Sequence, residues 1–77
     1  MENDLLFLLS NLGAIDQNRA VRENDLVASW ATEDEKHSAM LAIQKLASLG
    51  YVERDAEDAR KVYLSRRGLI RAMSNYS

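Results

Sequence analysis

Leu5, Leu8, Leu9 and Leu12 recur at helical spacing, and Gly13 follows the last of them where a helix-ending glycine belongs. The pattern predicts a first helix from about Asn3 to Leu12. Leu6 and Phe7 fall off the stripe, so this helix is apolar on nearly every side and must bury more than one face. Two arrangements meet that need: a helix sunk centrally in a small core, or a seam shared with a second copy of the chain. Residues 14–21 read as a connector ending in a short extended segment at Arg19-Ala20-Val21. Asn24 or Glu23 can then cap a second helix carrying Leu26, Val27 and Trp30 on one side.

Thr32 and Glu35 stand in the T-x-x-E relation of a capping box, and the acids Glu33, Asp34 and Glu35 suit the positive end of a helix dipole. A third helix is predicted from about Asp34 to Leu49, stopped by Gly50. Ala39, Ala42, Ile43, Leu46 and Leu49 point to one side of it, and the two alanines permit a close crossing with the preceding helix. His37, Ser38, Leu41, Gln44, Lys45 and Ser48 collect on the opposite face. After Gly50 the period shortens to that of a strand. Tyr51-Val52-Glu53-Arg54 and Lys61-Val62-Tyr63-Leu64 read as a hairpin with Val52 and either Val62 or Leu64 on the core side. Ser65 caps a last helix in which Leu69, Ile70, Met73 and Tyr76 form a single stripe. A mainly α chain in the order helix, short strand, helix, turn, helix, β-hairpin, helix is the expected layout of a winged helix-turn-helix.

Composition narrows what such a chain can do. The 77 residues are one domain at most. A chain this short buries only about 60 % of its unfolded surface, so contact with a second copy would help it. With 47 % apolar and 29 % charged residues it reads as globular, not disordered. It has no cysteine and one histidine, His37, so no disulfide, metal site or cofactor is expected. The apolar run from Leu5 to Leu9 is far short of the ~20 residues that span a bilayer, and no basic segment precedes it. A soluble, cytoplasmic protein is expected. Net charge is −2, but residues 51–77 hold six basic against four acidic side chains, so positive charge gathers at and after the hairpin.

The run from Leu46 to Gly68 resembles the segment of MarR-type winged-helix regulators that ends the recognition helix, builds the wing and enters the next helix. Leu46, Gly50, Val52 and Arg54 match the helix end and first wing strand; Asp55, Asp58 and Arg60 match the D-x-x-D-x-R wing tip; Leu64, Ser65 and Gly68 match the L-T/S-x-x-G exit. From Val21 to Ile43 the agreement is one of pattern only. The resemblance implies that Arg60 enters the DNA minor groove, where a guanidinium suits a narrow, electronegative channel. Asp55 and Asp58 would then shape the turn, accepting from tip amides or pairing with Arg54 or Arg60. The outer face of the third helix would lie in the major groove, with His37, Ser38, Gln44 and Lys45 able to reach bases or phosphates and Lys36 a phosphate. Leu41, in the middle of that face, suits either a thymine methyl or a protein contact. Family members are commonly longer, with terminal helices that build a dimer and a ligand pocket. No such ligand response is expected here.

The function expected is sequence-specific binding of double-stranded DNA by a transcriptional regulator, with residues 34–49 in the major groove and residues 51–65 in the minor groove. Lys36, His37, Ser38, Leu41, Gln44, Lys45, Arg54, Arg60, Lys61 and Arg66 are the candidate contacts. A homodimer is expected, joined through Leu6, Phe7, Ile70, Met73 and Tyr76. The alternative is a protein-interaction module that does not touch DNA, which the acidic first half and sequence pI ≈ 5.3 favour. Catalysis is not expected: Glu33, Asp34, Glu35 and His37 share one helical turn, without a nucleophile or a phosphate-binding loop.

Overall fold

Glycines in the left-handed region end both of the longest helices. α1 (Glu2–Asn11) closes at Gly13, φ 73°, and α3 (Lys36–Ser48) at Gly50, φ 83°. Each end carries two reverse hydrogen bonds, Ala14 N–H to Leu9 O with Gly13 N–H to Ser10 O, and Tyr51 N–H to Leu46 O with Gly50 N–H to Ala47 O. This pairing satisfies carbonyls that a helix end otherwise leaves without partners. It also turns Leu12 and Leu49 outward, to 52 % and 47 % exposure, although the helical period places both on core stripes.

The computed structural model describes residues 2–74, so Tyr76 lies outside the described residues. After α1, a 3₁₀ turn at Gln17–Arg19, capped by the Asp16 carboxylate, leads to β1 (Val21–Arg22) and α2 (Glu23–Trp30). A second 3₁₀ turn (Glu33–Glu35) opens α3. β2 (Val52–Arg54) and β3 (Lys61–Leu64) follow, and α4 (Arg66–Ser74) closes the chain. Neither Asn24 nor Glu23 caps α2: the helix begins at Glu23 itself, whose backbone N–H donates to Arg60 O at 2.8 Å. At the start of α3 the Glu35 carboxylate accepts from the Thr32 N–H at 3.3 Å and from its hydroxyl at 2.8 Å, as the T-x-x-E spacing predicts.

The chain is mainly helical with a small three-stranded antiparallel sheet in the order β1-β3-β2. The expected two-stranded hairpin therefore gains a third member. Val21 pairs with Val62 and Val52 with Leu64, so both Val62 and Leu64 face the core. Helix α1 is the centre of that core. Leu5, Leu6 and Leu9 are all buried, together with Leu26, Val27, Ala39, Ile43 and Leu46. Leu6, at 1 % exposure, is therefore a core residue and not the interface residue expected; only Phe7 of that pair reaches the surface. On α4 the buried face is made by Gly68 and Ala72 with Leu69 packed beside them, while Ile70 and Met73 point to solvent.

The small face of α4 lets it approach the start of β2 closely. Ser65 joins the two: its hydroxyl donates to Gly50 O at 2.6 Å and accepts from Gly68 N–H at 3.0 Å, while its own N–H donates to Tyr51 O at 3.1 Å. A Cβ on Gly68 would overlap the Tyr51 carbonyl oxygen.

Candidate nucleic-acid interface

His37, Ser38, Leu41, Gln44, Lys45 and Ser48 are all exposed along the outer side of α3, opposite buried Ala39, Ala42, Ile43 and Leu46. The apolar period of the helix thus fixes which side faces solvent. The lysines of this region are not unaccompanied. Lys45 Nζ lies 3.0 Å from the Glu2 carboxylate at the start of α1, and Lys36 Nζ lies 2.8 Å from Glu33. Exposed pairs of this kind stabilise a fold by about 1 kcal/mol or less, so an incoming phosphate can compete for either lysine. Leu41 is 49 % exposed in the middle of the row.

The hairpin tip contains no glycine or proline and is shaped by carboxylates. Asp55 accepts from Glu57 N–H at 3.0 Å and from the Gln17 side-chain amide at 2.9 Å. Asp58 accepts from Arg60 N–H at 3.0 Å and from Arg60 Nε at 3.2 Å. Each aspartate thus bonds a backbone amide two residues on, the local turn expected of them. The Arg60 N–H, and after it the Arg60 guanidinium, hold the Asp58 carboxyl below the usual aspartate range. Arg60 itself projects from the tip with 76 % of its side chain exposed.

Arg54 departs from the expected DNA contact. Its side chain is only 30 % exposed, and Nη1 donates at 2.8 Å both to the Glu23 carboxylate and to Ala59 O. It is a strut inside the hairpin. Glu23 therefore grips both arms of the hairpin, through Arg54 of β2 and, by its own N–H, through Arg60 immediately before β3. In the sequence Glu23 stands out only as a cap candidate. No local signal marks its role, because its partner lies 31 residues away.

Lys61 borders a groove beside β1 and α2, and Arg66 is exposed at the start of α4. Arg67 and Arg71 lie over the Tyr51 ring at 4.8 and 5.6 Å from its centroid, a cation–π arrangement outside the expected contacts. Phe7 and Met73, with Ser10, Asn11 and Ala72, line a separate groove between α1 and α4. Among the described residues no group of three or more His, Asp or Glu side chains is placed to hold a metal ion, and no helix is long and apolar enough to cross a membrane. Comparisons with protein-family models, curated proteins and solved structures find no match to this chain.

Proposed function

We propose that the chain is a small winged-helix DNA-binding regulator, similar to the MarR type, that sets α3 in the major groove and the tip of the β2-β3 hairpin in the minor groove. The observation that carries this reading is the presentation of Arg60. A tip braced by two Asx-type turns holds a largely exposed guanidinium at its end. A pre-shaped tip suits insertion into a groove because little conformational freedom is lost on binding. His37, Ser38, Gln44 and Lys45 supply donors and acceptors for base edges on α3.

The test is selection of bound sequences from random duplex DNA by the purified protein at two salt concentrations. Enrichment of a defined motif is expected. Arg60→Ala should then weaken binding about tenfold and make it less salt-dependent, in line with the loss of a groove contact of ~1–3 kcal/mol. Unchanged affinity in that variant would remove the wing from the reading.

In this reading the protein works as a homodimer with recognition helices about one DNA turn apart, ~34 Å. Phe7, Ile70 and Met73 form its interface, since they are exposed apolar side chains at 39 %, 57 % and 63 %. Sedimentation at micromolar concentration should give twice the monomer mass, with Met73→Asp shifting it to monomer. A wild-type monomer at that concentration would remove the dimer.

A second reading, a protein-interaction module, has one observation in its favour. Lys36, Lys45, Arg54 and Arg60 each have a carboxylate partner within the chain, and Leu41 stands exposed on α3 beside Lys45. Failure to enrich any duplex at low salt would favour this reading.

A further inference from the structure

Of the ten lysines and arginines in the chain, five sit within ion-pair distance of a carboxylate: Arg19, Lys36, Lys45, Arg54 and Arg60. Arg67 and Arg71 are stacked on Tyr51. Arg22, Lys61 and Arg66 have neither kind of partner among the described residues, and the first two of these are neighbours. They are register partners on β1 and β3, next to the core pair Val21 and Val62. Alternation along the strands sends Val21 and Val62 inward and puts Arg22 and Lys61 side by side on the other face of the sheet. Like charges directly opposite each other weaken a strand pair. Arg22 and Lys61 both line one groove beside β1 and α2, whose mainly apolar lining includes Leu12, Val21 and Leu26. Asp25 lines the same groove and forms no ion pair with either of them.

We infer that Arg22 and Lys61 together bind one phosphate of the DNA backbone beside the wing, a contact that the exposed face of α3 and the Arg60 tip do not supply. This rests on the DNA-binding reading. A phosphodiester is the occupant that fits, because its two anionic oxygens can accept from the planar Arg22 guanidinium and from the Lys61 ammonium at once. Its negative charge removes the repulsion between them. Arg22 directly precedes Glu23, and Lys61 directly follows Arg60. The bound phosphate is therefore held by the same backbone that fixes the wing to α2, through the Glu23 N–H and Arg60 carbonyl. Such a contact positions the protein on the duplex and carries no sequence information.

The experiment measures duplex affinity against salt concentration for wild type, Arg22→Ala, Lys61→Ala and the double variant, with Arg19→Ala as a control cation outside the groove. Circular dichroism first establishes that each variant is folded. Each single variant should weaken binding several-fold on cognate and random duplex alike. The double variant should lower the slope of log affinity against log salt by about 0.9, the value for one phosphate. Arg22→Lys should restore most of the slope, and Arg19→Ala should leave it as in wild type. If wild type binds duplex and the double variant keeps both affinity and slope, the phosphate site is overturned while the DNA-binding reading stands. If wild type binds no duplex even at low salt, both fall together.

Discussion

Gly68→Ala should lower the stability of this protein by about 2 kcal/mol, the balance of an overpacking loss near 3 and a helix-propensity gain of about 1. Position 68 has no left-handed backbone, so alanine is locally the better helix former. The loss comes from tertiary approach. The added methyl would meet the Tyr51 carbonyl oxygen, and backbone cannot swing aside as a side chain can. Relief requires α4 to move away from the start of β2, which disturbs the Ser65 bonds to Gly50 and Tyr51. For a domain of this size the melting temperature should fall by roughly 8–16 °C. Thermal unfolding followed by circular dichroism checks it, and an alanine variant as stable as wild type would show that α4 does not need this approach.

Glu23→Ala should loosen the hairpin and lower stability by about 1.5 kcal/mol, a figure already reduced for the partial exposure of the Arg54 partner. The variant leaves Arg54 with Ala59 O as its only acceptor in the hairpin. Hydrogen exchange is the direct readout. The Asp55 and Lys61 amides, which close the tip through Lys61 O and Asp58 O, should exchange faster in the variant. Glu23→Gln keeps a hydrogen-bond acceptor and should recover about half the loss. In the proposed DNA complex, Glu23→Ala and Arg60→Ala should be non-additive, because both act through the placement of one tip. Unchanged exchange at Asp55 and Lys61 would show that the hairpin holds its shape without this anchor.

The parts of the fold legible in the sequence are those set by local rules. Gly13 and Gly50 mark helix ends, Thr32 and Glu35 mark a helix start, and the alternation around Val52 and Val62 marks two strands. The turn roles of Asp55 and Asp58 are legible for the same reason, since each bonds an amide two residues away. What was not legible depends on distant partners. Leu6 lies off the leucine stripe of its helix, and the choice between a central helix and a seam is made by distant contacts, as α1 runs through the middle of the core against α3, α4 and β3. The strut role of Arg54 is hidden because Glu23 is far off in sequence. Gly68 is readable as a resemblance to a family exit motif, but the carbonyl that demands it belongs to Tyr51, across the fold.

The sheet itself bears on how this protein keeps company with itself. Its two outer strands are β1, with two residues, and β2, with three. So short an edge, bearing Arg22 on one side and Glu53 on the other, offers a poor template for an incoming strand. Concentrated solutions should consequently resist fibril formation while the fold is intact.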